Sequence, residues 1–224
     1  MKYWRKRTRW IVLACLLFMV TIVGCAGESE HPVALSSSVY SNKLLVLPFQ
    51  AVVPKGAIAT CPICGKSNPA GPITPDAARV LTDMLTTGLE RRGFVIVPMG
   101  KVEEALLQIG EKKAATYPIE TAKKLAKKFN VKLVMAGVVF EYKSREGSSI
   151  GVEEPAAVSF SLHLIEGKTG RILWKDKYYE SQKPLSEDIT NIGKFIKRSG
   201  KWVTARRLAY DGMNTLLDNL PDFQ

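Results

Sequence analysis

AKKLAKKFNVKLVMAGVVFEY, residues 122–142, changes its period half-way, and that change decides the fold. Up to Phe129 the apolar residues recur at three and four. With Ile119 just upstream, Ala122, Leu125, Ala126 and Phe129 form the inner face of a helix expected from about Pro118 to Asn130, while Lys123, Lys124, Lys127 and Lys128 point outward. From Val131 to Tyr142 the run is almost wholly apolar and reads as a strand, with Gly137 marking a bulge or a close helix contact. A helix that feeds directly into such a strand is the crossover unit of an α/β layer.

The pattern extends both ways. LLVLPF (44–49) is a continuous apolar run of the kind a central strand shows, and FVIVP (94–98) reads as a second buried strand. Between them Thr74 is placed as N-cap, Pro75 at the first helical position and Asp76 in the first turn of a helix whose stripe is Ala77, Val80, Leu81, Met84, Leu85 and Leu89, ending at Arg91-Arg92-Gly93. A short helix is expected around Val102–Leu107. Downstream, 156–165 alternates: Val158, Phe160, Leu162 and Leu164 face one way, and Ser159, Ser161 and His163 the other. The turn 167–170 joins it to a partner strand over 171–180. Two helical patterns follow, one over 185–201 and one from Trp202 to Leu220. The expected fold is α/β: a mixed sheet of four to five strands with crossover helices and a C-terminal helix packed on it.

At the other end, residues 1–10 carry five basic residues and no acid, and 11–24 are apolar, the n-region and h-region of a signal peptide. Fourteen residues fall short of the roughly 20 needed to span a bilayer as a helix. The segment ends in Ile22-Val23-Gly24-Cys25, which resembles the bacterial lipobox, so Cys25 is the expected lipidation site and the membrane the first expected partner. The expected organisation is a signal peptide over 1–24, the lipidated cysteine and a flexible tether over 25–42, and one domain over 43–224. A tether of this length reaches about 20–25 Å. Removal of 1–24 takes five of the 32 basic residues and none of the 21 acidic ones, which leaves a net charge of +6. That mild and dispersed excess, outside the cytoplasm, argues against nucleic acid and for anionic lipid, acidic polymers or another protein.

The order of LLVLPF, ARVLTDMLTTGLERRG, FVIVP, AKKLAKKFNVKLVMAGVV and SLHLIEGKTGRILW resembles a broad group of envelope domains. It includes the curli secretion channel subunit, the lipoprotein activators of penicillin-binding proteins, the periplasmic ring lipoprotein of Pel polysaccharide export, and the amino-terminal domain of the Tol-Pal propeller protein. The likeness covers about 43–220 and rests on apolar patterns, which speak for fold more than function. It implies a non-enzymatic accessory, assembly or ring component at the periplasmic face of the outer membrane, working with envelope or secretion proteins and with further copies of itself. The connection 143–156 is too short and polar for the two spanning hairpin strands of the curli channel, which need about 9–11 residues each. The tether is also shorter than the one that carries the penicillin-binding protein activators through the cell wall.

Within the domain the only cysteines are Cys61 and Cys64, in TCPICGKSNPAGPI (60–73). An oxidising compartment makes a disulfide between them the first expectation. A CPxCG turn also presents two thiolates with the bite of a zinc knuckle, but zinc usually takes four ligands. The mature chain's only histidines are His31 and His163, so a carboxylate or a second subunit would have to complete that site. Apart from this zinc reading, no cofactor is expected. Covalent haem would need histidine where Gly65 stands. Thiol oxidoreductase chemistry would place the nucleophile at a helix N-terminus, whereas Cys64 is ten residues before Thr74.

His163 beside Ser159 and Ser161 reads as an exposed polar strand face, since no nucleophile elbow accompanies it. The four lysines of 123–128 read as a solvated helix face. In 185–201 and just beyond, Phe195, Ile196 and Trp202 among basic residues form a candidate interface, packing on the domain, on a second subunit or on a membrane surface.

Overall fold

The computed structural model describes residues 42–54, 56–147, 152–154, 156–182 and 203–221. All of these belong to one compact unit, 33–224. Cys25, the helix expected over 185–201, and Phe195, Ile196 and Trp202 lie outside the described residues.

The main sheet contains β1 (Lys43–Val46), β2 (Gln50–Ala51), β5 (Val95–Ile96), β6 (Leu133–Lys143), β9 (Ala157–Glu166) and β10 (Ile172–Ser181). Its order is β10-β9-β6-β1-β5, with β2 also paired to β6, giving five strand positions. The β6 pairings with β1 and β2 are parallel, as is β1 with β5, while β9 pairs antiparallel with both β6 and β10. The sheet is therefore mixed, as the sequence leads one to expect.

LLVLPF is one strand position interrupted. The Leu47 amide still donates to the Met135 carbonyl at 2.9 Å, but Pro48 has no N–H, and the Phe49 amide turns away to Thr82 Oγ1 at 2.9 Å. Thr82 Oγ1 in turn donates to the Ala78 carbonyl at 2.7 Å. Thr82→Val keeps the shape and leaves the buried Phe49 amide unpaired. It should cost about 1–3 kcal/mol. A melting curve should fall by roughly 2–12 °C, and no change would mean that water replaces the hydroxyl.

Helix α1 (Ala77–Arg91) starts later than expected. Thr74 and Pro75 precede it in a turn and Asp76 is the N-cap without a side-chain bond. FVIVP is also corrected: only Val95 and Ile96 are in a strand, at the edge, with Val95 61% exposed. Helices α2 (Met99–Ile109), α3 (Glu111–Thr116) and α4 (Pro118–Phe129) follow, and α3 was not expected. Asn130 closes α4 at φ 48°, a conformation asparagine tolerates. In α4, Lys124, Lys127 and Lys128 are exposed, and Lys123 pairs with Glu120.

Helix α5 (Ala205–Asp218) is capped by Thr204, which accepts from the Arg207 amide at 3.2 Å. Among the described residues no helix is long and apolar enough to cross a membrane.

The two faces of the sheet are covered differently. On one, α1 and α5 pack on Leu44, Val46, Leu133, Met135, Val158, Phe160 and Leu162. Gly137 belongs to this side and marks neither a bulge nor a helix contact but a close approach of Phe49: a Cβ there would lie 2.4–2.6 Å from the Phe49 ring. The irregularity in β6 falls later, between Val139 and Glu141. On the other face, α2 and α4 cover Leu45, Val134, Ala136 and Ile165. The rest of that face is covered by the segment the sequence reads only as a loop. It forms a hairpin, β3 (Ile58–Thr60) with β4 (Ser67–Pro69), which seals Val138 and Phe140. The 143–156 connection holds a small ladder, β7 (Glu146–Gly147) with β8 (Val152–Glu154).

Candidate metal centre

CPICG sits at the tip of the β3–β4 hairpin. The Cys61 amide donates to the Lys66 carbonyl at 2.9 Å, and the Gly65 amide returns to the Cys61 carbonyl at 2.9 Å. Gly65 holds φ 71°, which a residue with a Cβ rarely adopts. The backbone amides of Ile63 and Cys64 pull the pKa of the Cys61 thiol down, against its burial. Two amides on the first sulfur of a Cys-x-x-Cys turn stabilise a thiolate there, as the turn of a metal knuckle requires.

The hairpin is fixed to the sheet by the segment that follows it. The Gly71 amide donates to the Phe140 carbonyl at 3.0 Å, the Tyr142 amide to the Pro72 carbonyl at 2.9 Å, and the Thr74 amide to the Tyr142 carbonyl at 3.1 Å. Ala59 and Cys61 are thereby pressed onto Val138 and Phe140.

This docking corrects the reading of β9. Ser159, Ser161 and His163 do share a face, but it is buried, with His163 only 1% exposed, because the hairpin lies over it. His163 Nε2 is 3.5 Å from Cys61 Sγ, and Ser161 Oγ is 4.0 Å from the same sulfur. Cys61, Cys64 and His163 bring their ligand atoms within 4.8 Å of one another. In this structure no disulfide joins Cys61 and Cys64. A third side chain joins them, from a strand about a hundred residues away in sequence.

Burial sets the charge of these groups. It pushes the His163 pKa down to about 4; the Ala136 carbonyl on the neighbouring strand opposes this, and Lys175 on the other side reinforces it. The imidazole is therefore neutral near pH 7, the form that binds metals. Although the Ala136 carbonyl lies near the ring, Nδ1 makes no hydrogen bond of normal geometry. Burial also pushes the Cys61 thiol up, against the pull of the Cys64 and Ile63 amides.

No family model matches the chain, and no curated protein matches it in sequence. Several solved structures are similar in fold. PelC from Paraburkholderia phytofirmans, solved as a dodecamer, is 16% identical over 82% of this chain and 89% of its own, with a TM-score of 0.46. Lipoprotein GNA1162 from Neisseria meningitidis is 18% identical over 71% of this chain and 94% of its own, at 0.45. The LpoB C-terminal domain from Escherichia coli is 18% identical over 67% and 90%, at 0.42. PelC and LpoB fall within the group of folds that the sequence resembles. At these identities the likeness concerns fold.

The pair Cys61 and Cys64 was evident in the sequence, whereas His163 as its neighbour was not. No local signal carried this: a polar face opposite an apolar one reads as solvent-exposed, and only the docking of the hairpin buries His163.

Proposed function

We propose that the chain is a non-enzymatic, lipid-anchored envelope protein, held through Cys25 at the periplasmic face of the outer membrane and acting in assembly or export through contacts with other envelope proteins. The observation that carries this reading is the junction of sequence and fold. A basic n-region, an apolar h-region and Ile22-Val23-Gly24-Cys25 precede a sheet domain whose first strand opens at Lys43. A tether of that length keeps the domain within a few tens of ångströms of the lipid surface. Among the described residues β10, ten residues long, is the outermost strand on the antiparallel side of the sheet. Phe195, Ile196 and Trp202 remain the apolar candidates for an interface with further copies.

Cys25→Ser tests the anchoring. The several acyl chains of a lipoprotein, at about 0.8 kcal/mol per buried CH₂, hold it where a single chain would not. The variant should be unprocessed or should leave the membrane fraction after a salt wash. Normal processing with retention in the membrane would exclude the lipid anchor.

A further inference from the structure

We infer that Cys61, Cys64 and His163 bind a zinc ion through two thiolates and the imidazole Nε2, with the fourth position taken by a small ligand from solvent.

Four observations converge on this. The first is distance. Zinc–sulfur and zinc–nitrogen bonds of about 2.3 and 2.0–2.1 Å, opened to the tetrahedral angle, place sulfur and nitrogen about 3.5–3.6 Å apart. Cys61 Sγ and His163 Nε2 stand at 3.5 Å. Two sulfurs on one zinc would be about 3.8 Å apart by the same reasoning, and all three ligand atoms already lie within 4.8 Å. Closure needs only a small rotation of a side chain.

The second is the knuckle, whose amides favour a thiolate at Cys61 and whose Gly65 supplies the left-handed turn. The third is the orphan Nδ1 of His163, which is buried with no partner. Binding through Nε2 fixes the proton on Nδ1, where the Ala136 carbonyl is the nearby acceptor. A ligating histidine typically hands its other N–H to such a group. The fourth is charge: a dication with two thiolates sums to zero, so the ion can sit in this buried place without an uncompensated charge. On binding, the two thiols release their protons to solvent and no electron is exchanged.

Two thiolates and an imidazole favour a borderline-soft ion over magnesium or calcium. Among the described residues no further cysteine, histidine or carboxylate joins the three. Cys61 and His163 are closed off, while Cys64 is only half-buried and gives the ion its way in. The ion would tie the hairpin tip to β9 across a sequence separation of about a hundred residues, adding a cross-link to the backbone bonds at Gly71, Tyr142 and Thr74.

The test uses the full chain purified without chelator, reduced, and titrated with zinc chloride or with cobalt chloride as the coloured probe. One zinc per chain is expected by native mass spectrometry. Cobalt should give thiolate charge-transfer absorption and the intense visible bands of a four-coordinate ion. Cys64→Ser and His163→Leu should each weaken uptake at least about tenfold, and Cys25→Ser should not change it. Because Cys64 is half-exposed, its variant should keep the wild-type circular dichroism, which separates lost ligation from lost folding. A chain that arrives two daltons light and takes up zinc once reduced supports the site. Failure of the reduced, folded wild type to bind stoichiometric zinc, or uptake undiminished in His163→Leu, overturns it.

Discussion

Phe160→Ala lowers the melting temperature by roughly 6–20 °C. Phe160 is fully buried near the middle of β9, on the side covered by α1 and α5. Its ring meets Phe49 edge-on, with centroids 6.2 Å apart and planes at 71°, and lies 5.6 Å from the ring of Tyr178. Those partners cannot collapse into the space. Phe49 is already pressed over Gly137, and Tyr178 stands where a Cβ on Gly212 of α5 would fall 2.3 Å from its ring. A truncation that leaves its cavity open costs about 3–5 kcal/mol, and each kcal/mol moves the midpoint by about 2–4 °C in a domain of this size. Differential scanning calorimetry on Phe160→Ala beside Val53→Ser, at a position 85% exposed, provides the comparison. Equal shifts for the two would show that the aromatic row is not a rigid part of the core.

The same row explains which parts of the fold could be read from sequence. Strand β9 and helices α4 and α5 announce themselves because each keeps one period for ten residues or more, β6 because it is one long apolar run and β10 because the turn 167–170 joins it to β9, while the buried stripe of α1 is legible from its spacing. The errors arise where a backbone bond is redirected. Phe49 leaves its strand because Pro48 cannot donate and Thr82 offers an acceptor, and that acceptor is 33 residues away in sequence. FVIVP looks like a buried strand because it is apolar, yet only Val95 and Ile96 are in register with β1, at the edge, and Val97 adds a single amide bond to the Leu44 carbonyl at 3.0 Å. The helix after Thr74 begins later because Pro75 and Asp76 are used by the turn that carries the chain off β6.

The site was half legible for a related reason. Cys61 and Cys64 are close in sequence, so local spacing reveals them. His163 joins them only because residues 70–74 pair with the end of β6 and lay the hairpin over β9. Alternation correctly assigned Ser159, Ser161 and His163 to one face, but it is silent on whether that face meets water or another part of the chain. Burial changes the chemistry of His163 entirely: an exposed imidazole is an ordinary polar group, whereas a neutral one with an unpaired Nδ1 beside a thiol is a ligand awaiting a partner.

That difference makes stability itself a readout of the zinc site. In the reduced, metal-free protein His163→Leu should melt at the wild-type temperature or above it, because it replaces a buried group whose Nδ1 lacks a partner with an apolar one. With zinc at about 100 times its dissociation constant, the wild type should gain about 2.7 kcal/mol, or roughly 5–11 °C, and the variant should gain almost nothing. The order of the two proteins then reverses between chelator and zinc. A histidine that only fills space predicts one order in both conditions, since the ion would have no site through which to act. Hydrogen exchange locates the effect: zinc should slow exchange at the amides of residues 61–66 in the wild type and leave them unchanged in His163→Leu. An equal zinc-dependent rise in both proteins would place the ion elsewhere on the chain.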